Sequence, residues 1–219
     1  MNQASNEVKN IMRKTGTTTL AIVCADGLVV AADKRGTYSS GIIVERDADK
    51  VHPIVDNIVV TGAGMSSAID RVIKVARAEL KLLEVRTNRK VTVKDAANLF
   101  MNMNYTNIRN FGEWELTHFL VAGKDIHGFR LFEAGADGTL KEHMTFAATG
   151  SGSIFAWPIL ESRFKKGMST QEAMKIAAEA INQAQLRDTS SGSGFDIFTI
   201  TEAGIKKVVS KDITPKAEL

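Results

Sequence analysis

The sequence predicts an α+β protein. Its expected form is a four-layer αββα sandwich, with two antiparallel sheets packed face to face and a pair of helices covering each outer side. Three observations predict this. Apolar residues come in strand-length runs as far as residue 61, and from Met65 they switch to a period of three to four. That switch occurs twice, so the order along the chain is strands, two helices, strands, two helices, strands. No repeat, low-complexity tract or Pro/Gly-rich linker divides the 219 residues, and their 44% hydrophobic content suits one domain with a sizeable core.

The elements follow in order. Residues 1–16, MNQASNEVKNIMRKTG, are polar and lack the apolar centre of a secretory signal; they read as a leader, not as a packed element. Residues 17–24 read as a strand carrying three threonines with Leu20, Ile22 and Val23. Asp26-Gly27 is a hairpin signal, and 28–32 form the returning apolar strand. Further strands are expected at 42–44 and 58–61. Met65, Ile69, Val72, Ala76, Leu80 and Leu83 then mark a helix with one buried face. Thr92 caps a second helix running to about residue 108, with Leu99, Phe100 and Met103 inward. Strands return at 117–122, 128–133 and 143–148. A third helix begins near Gly152, and Pro158 inside it removes a hydrogen bond and is expected to kink it unless it falls in the first turn. Ser169 and Glu172 form a capping box ahead of a helix whose buried stripe is Ala173, Ile176, Ala177, Ala180 and Ala184. Strands at 196–201 and 205–209 close the chain around a turn at 202–204.

Composition excludes several function classes. Charged residues make up 24% of the chain and nearly balance, at a formal net charge of +3, so no strong field draws nucleic acid or anionic lipid. No apolar run approaches the length of a membrane span. Cys24 is the single cysteine and lies in an apolar run, so it reads as inert packing; one cysteine is also compatible with a reducing cytosol. His52, His118, His127 and His143 are scattered without ligand spacing, so neither a metal site nor a cofactor is expected.

The chemistry centres on Thr17. Three consecutive threonines can mean β-propensity alone. Here, however, a leader and then Gly16 precede them, and the run opens the first strand. A hydroxyl is a weak nucleophile that needs an adjacent base. Cleavage between Gly16 and Thr17 places a new α-amine on the same residue as the hydroxyl. Such an amine has a pKa of about 8, and a nearby ammonium lowers it further by like-charge repulsion. Gly16 offers no side chain to obstruct attack on its own carbonyl, so one hydroxyl can release the leader and later cut substrates.

Six segments in order make the chain resemble the catalytic β subunits of the 20S proteasome. They are Gly16-Thr17-Thr18-Thr19; Ala31-Ala32-Asp33 with Arg35 and Thr37; Asp49-Lys50-Val51; Thr61-Gly62-Ala63-Gly64; Gly150-Ser151-Gly152; and Arg187-Asp188 with Ser191-Gly192. The resemblance runs from Thr17 to about residue 210 and implies the Ntn-hydrolase fold, with residues 17–219 as a single peptidase domain once 1–16 are removed by autocleavage. It implies that Thr17 is the nucleophile and that its freed amine is the base. Asp33 and Lys50 would be a buried pair beside the hydroxyl, and Gly64 N–H the oxyanion donor. Ser151, Asp188 and Ser191 would orient the amine. Thr37 and Gly64 would offer backbone to a substrate strand. The stretch from Thr37 to Lys50 is one residue longer than the family pattern, and a gapless count puts Asp49 in the lysine's place; Lys50 takes the role because it precedes Val51. In the α-type subunits of the same family an N-terminal helix stands before the strand pair, and there is no Gly-Thr cleavage point.

By the same resemblance, Gly36, Ala48, His52, Gly62, Ser66 and Asp70 line the pocket for the residue before the cut. Gly62 leaves it deep, and Asp70 stands where trypsin-like subunits carry an acid. Two outcomes are open: a preference for Lys or Arg, or, with Asp70 merely solvated, for large apolar residues. The resemblance further implies a seven-membered ring of β subunits, partner rings of α subunits, a regulatory ATPase acting through the α ring, unfolded polypeptides as substrates, and a cytoplasmic location. Two other readings are a smaller bacterial relative built on rings of six, and a ring subunit without activity.

Overall fold

The structure, a computed structural model, describes residues 13–38, 40–111 and 115–213. Among them are thirteen strands, β1 (Arg13–Thr15), β2 (Thr19–Val23), β3 (Leu28–Asp33), β4 (Gly36–Tyr38), β5 (Ile43–Glu45), β6 (Val51–Val55), β7 (Ile58–Met65), β8 (Thr117–Asp125), β9 (Gly128–Ala134), β10 (Leu140–His143), β11 (Phe146–Thr149), β12 (Gly194–Thr201) and β13 (Gly204–Asp212). The four helices are α1 (Ser66–Thr87), α2 (Val93–Phe111), α3 (Ser153–Arg163) and α4 (Thr170–Arg187).

Two antiparallel sheets result. The larger has the order β10-β9-β8-β7-β1-β4-β5, with β6 also paired to β7; the smaller has the order β11-β2-β3-β12-β13. Three apolar cores separate four layers. Val60, Phe119, Val121 and Phe132 of the larger sheet pack under Ile69, Val72, Ile73 and Leu80 of α1 and Phe100 of α2. Leu20, Val29, Ala31 and Ile197 of the smaller sheet pack under Ala156 and Leu160 of α3 and Ala173, Ala177 and Ile181 of α4. Ala21, Leu28, Val30, Val59, Leu120 and Phe198 fill the space between the sheets. The expected αββα sandwich is present.

Local signals held where a cap or a period fixed them. Ser169 and Glu172 make the reciprocal capping box at the start of α4. Thr92 accepts the Asp95 N–H, and Asp95 in turn accepts the Thr92 N–H, at the entry to α2. Pro158 lies in the second turn of α3. Its missing N–H deprives the Ile154 carbonyl of its usual helical donor, and Ile154 itself is exposed.

Four expectations about the elements need correction. The run 143–148 is not one strand: β10 ends at His143 in the larger sheet, and β11 begins at Phe146 in the smaller one, with a bend between them. A continuous β pattern in sequence can thus cross between layers. The first long strand starts at Thr19, because the Thr18 N–H is taken by the Asp33 side chain and the Thr17 N–H by Ser151. Met65 ends β7 and caps α1 from outside, so it does not lie on the helical stripe.

The fourth concerns residues 1–16, expected as a leader and not as a packed element, which contribute a strand. Arg13–Thr15, inside the expected leader, forms β1 between β4 and β7, with Lys14 opposite both Thr37 and Met65, and Thr15 opposite Gly64. β4 and β7 would otherwise each present an unpaired edge there, and an extended segment satisfies both sets of backbone groups.

Candidate active site

The site is built by strand register. β6 and β1 share one edge of β7, with Val51 opposite Thr61 and Thr15 opposite Gly64. Lys50 immediately precedes β6 and Gly16 immediately follows β1, so the two meet in the short gap left along that edge. The Lys50 ammonium donates to the Gly16 carbonyl at 2.8 Å and to Asp33 Oδ1 at 2.9 Å. Asp33 is fully buried and the Lys50 side chain is 2% exposed.

Asp33 ends β3 and accepts four hydrogen bonds. Oδ1 takes Thr18 N–H at 2.8 Å and Lys50 Nζ; Oδ2 takes Gly192 N–H at 2.9 Å and Arg35 N–H at 3.1 Å. A buried carboxylate with four donors around it is held in one orientation. Burial pushes the Lys50 ammonium below the usual lysine range, and the Asp33 charge opposes that push. It is Lys50, and not Asp49, that meets Asp33; Asp49 faces Lys207 at 3.5 Å on the exposed side of the loop.

A second network reaches Thr17 from the opposite side. Thr17 N–H donates to Ser151 Oγ at 3.3 Å, and Ser151 Oγ–H donates to Asp188 Oδ2 at 2.7 Å. Ser191 donates to the same carboxylate oxygen at 2.6 Å and contacts the Thr18 hydroxyl at 2.7 Å. Asp188 caps the C-terminus of α4, and Ser151 sits in the turn before α3, so the two helices on the smaller sheet aim these groups. Once the Gly16–Thr17 bond is cut, the nitrogen now hydrogen-bonded to Ser151 would be the free amine.

Close approach explains the glycines. A Cβ at Gly150 would lie 2.0 Å from the Thr17 carbonyl oxygen, and one at Gly16 would lie 1.8 Å from Ser190 Cβ. Gly64 has φ +127°, and a side chain there would strike the Leu116 carbonyl. Its register places it against Thr15, one residue short of the Gly16 carbonyl, while Thr37 holds the other edge of β1. Groups missed from sequence are Thr18, Gly150 and the backbone N–H groups of Arg35 and Gly192. All four stand inside the motif segments quoted above, which gave them no role of their own.

A cavity of about 480 Å³ lies beside Lys50. Ala48, His52, Gly62, Ser66 and Asp70 line it, together with Ile69, Arg77 and three further acids, Glu45, Asp47 and Asp49. The expected Gly36 stands opposite Glu45 on β4, outside that lining. A Cβ at Gly62 would lie 2.8 Å from Ile69 Cγ2, so Ile69 takes up the room that the glycine leaves. Burial, and then the nearby Arg77 charge, push the His52 pKa down. Asp47 is paired with Lys34, whereas Asp70 makes no ion pair among the described residues. Cys24 is buried and its thiol is pushed up to about 12, mainly by desolvation, which suits packing.

The proteasome subunit family model matches residues 13–200. Archaeal relatives carry the name proteasome subunit beta. The chain is 36% identical over 189 residues to that of Methanocorpusculum labreanum, covering 86% of this chain and 87% of the relative. It is 37% identical over 194 residues to proteasome subunit beta 2 of Pyrococcus abyssi (88% and 90%). To proteasome subunit beta 1 of Thermococcus kodakarensis it is 38% identical over 192 residues (88% and 92%).

Proposed function

Because the chain belongs to the proteasome subunit family, we propose that it is a catalytic β subunit, a threonine endopeptidase that activates itself by cutting between Gly16 and Thr17 and then degrades unfolded polypeptides inside a ring-shaped chamber. The observation that carries this reading is the seating of the leader. Arg13–Thr15 runs as an added strand between β4 and β7 and delivers the Gly16 carbonyl to Lys50, with Thr17 next in the chain. The leader lies where a substrate strand would lie.

Autoprocessing in this reading begins with the Thr17 hydroxyl attacking the Gly16 carbonyl carbon. Lys50 polarises that carbonyl, and Gly64 N–H, on the strand that pairs with β1, is the donor assigned to the developing oxyanion. Collapse of the tetrahedral intermediate breaks the Gly16–Thr17 C–N bond, its nitrogen taking a proton to become the Thr17 amine, and water then hydrolyses the ester to a Gly16 carboxylate on the leader and a free Thr17 hydroxyl. Asp188, through Ser151 and Ser191, then orients the amine, which takes the hydroxyl proton when a substrate is attacked. Lys50 keeps a positive charge beside the amine and disfavours its protonation.

Assembly follows from family membership: the chain associates with other proteasome subunits. We place it in a seven-membered β ring stacked on α rings, gated by a regulatory ATPase, in the cytoplasm. No helix among the described residues is long and apolar enough to cross a membrane. Co-expression with α subunits is expected to give a particle of very high sedimentation coefficient, and intact-mass measurement of its β chain is expected to show loss of residues 1–16. A chain that stays monomeric in every co-expression refutes the ring. An assembled chain that keeps its leader marks an inactive structural subunit.

For specificity we propose a preference for Lys or Arg before the cut. Of the four carboxylates that line the cavity next to Lys50, Asp47 and Asp49 face Lys34 and Lys207, whereas Asp70 makes no ion pair among the described residues; Lys50 is itself paired with Asp33. A basic side chain entering the cavity is paired on binding. Fluorogenic peptides ending in Arg are expected to be cut faster than those ending in Leu or Tyr, and Asp70→Asn is expected to lower the Arg rate about three- to tenfold, the worth of one partly exposed charge pair. Efficient cutting after Leu or Tyr alone, or an Asp70→Asn protein with an unchanged Arg rate, overturns it.

A further inference from the structure

A second, larger cleft of about 780 Å³ opens beside Gly16. One wall is the inner face of the larger sheet. Ala63 pairs with His118 and Leu120 pairs with Glu133; because Leu120 belongs to the core between the sheets, His118 and Glu133 share that face. The other wall is Thr149 of β11, Ser151, and Trp157 of α3. The groove between β4 and β7 is taken by the chain that precedes the Gly16–Thr17 bond. A substrate laid there in place of the leader has to send the residues after its scissile bond past Ser151 and Ser190, which border this cleft.

The charge inside it is built, not incidental. Glu133 is held by two imidazoles, His118 Nε2–H at 2.7 Å on Oε1 and His143 Nε2–H at 2.6 Å on Oε2. This donation holds the Glu133 carboxyl well below the usual carboxylate range, so it stays ionised. Lys141 stands opposite Glu133 on β10 but makes no ion pair with it among the described residues. Glu133 is the one carboxylate of the described lining, which includes no lysine or arginine, and the half-exposed Trp157 indole faces the same space. A carboxylate and an indole in one cleft recognise a cation, by ion pairing and by cation–π contact.

We propose that His118, Glu133 and Trp157 form a subsite on the leaving-group side of the cleft that selects a Lys or Arg residue just after the scissile bond. This rests on the reading of Thr17 as the nucleophile. The alternative is that the His118–Glu133–His143 cluster only ties β8, β9 and β10 together; such a role would move stability and leave selectivity alone.

The test uses assembled particles freed of the leader. Internally quenched peptides share one acyl half and carry Lys, Gln or Glu at the two positions after the cut, with mass spectrometry fixing the bond that is cleaved. A coumarylamide with the same acyl half has no residues after the cut. The expected result is that the coumarylamide is hydrolysed and that Lys peptides exceed Glu peptides by roughly five- to tenfold in kcat/KM. Glu133→Gln is expected to bring that ratio to about one, and Trp157→Leu to lower it, through loss of the charge partner and of the indole face. An inert coumarylamide condemns the nucleophile reading itself. A hydrolysed coumarylamide with a native Lys-to-Glu ratio near one, or with a ratio unchanged in both variants, refutes the subsite alone. If Glu133→Gln does not assemble, the native ratio and Trp157→Leu decide the matter.

Discussion

Thr17→Ala is expected to abolish both leader removal and peptide hydrolysis while leaving the fold intact. The substitution removes the hydroxyl that stands next in the chain to the Gly16 carbonyl carbon and that later faces a substrate in the same groove. Thr18 cannot replace it, because its hydroxyl is engaged with Ser191 and its N–H with Asp33. The backbone contacts that hold the residue, N–H to Ser151 and C=O to Gly152 N–H at 3.2 Å, do not involve the lost group. The stability cost is therefore on the order of 1 kcal/mol, small for a domain of this size. Loss of a nucleophile, by contrast, removes the whole covalent route, a drop on the order of a million-fold in comparable hydrolases. Intact mass reports leader retention, and fluorogenic peptides report turnover. A Thr17→Ala protein that still loses residues 1–16, or still cuts peptides above background, rules out the proposed nucleophile.

The second large effect separates two adjacent residues. Lys50→Ala should lower peptide hydrolysis by roughly a hundred- to ten-thousandfold, the usual span for a group that sets a proton-transfer step. It should also block or slow leader release, since the same ammonium donates to the Gly16 carbonyl. Asp49→Ala should change activity by less than about fivefold, because its contact with Lys207 is an exposed surface pair worth at most about 1 kcal/mol. Lys50→Ala also leaves Asp33 buried without its counter-ion, which costs about 3–5 kcal/mol of stability. Thermal unfolding of both variants accordingly accompanies the assays, and activity is compared only below the lower transition. Equal losses in the two variants would show that the extra residue between Thr37 and Lys50 is misplaced, or that the loop has no catalytic part.

Much of the layer order was legible because the rules that encode it act over a few residues. The three-to-four period from Ile69 to Leu83 fixes which face of α1 meets the sheet. Ser169 and Glu172 fix where α4 starts within one turn. Asp26-Gly27 brings β3 back along β2. The candidate nucleophile was equally local: Gly16, a leader before it and a threonine run after it need no tertiary information to be read as a cleavage point. The short strands β6 and β10 escaped, since five and four residues carry too little pattern to stand apart from loops.

What the sequence by itself determined, then, is the alternation of strand and helix pairs, the helix starts and the candidate residues. Only the tertiary structure decided how those residues meet. Lys50 reaches Gly16 because β6 and β1 share one edge of β7, and Thr17 reaches Ser151, 134 positions later, because β11 pairs with β2. It also decided that Arg13–Thr15 is a strand and that Glu45, Asp47 and Asp49 join Asp70 around one cavity. Caps and periods are set by neighbours a turn apart, whereas these meetings depend on the register of ladders between strands distant in sequence, and register is fixed only when whole sheets close over their cores.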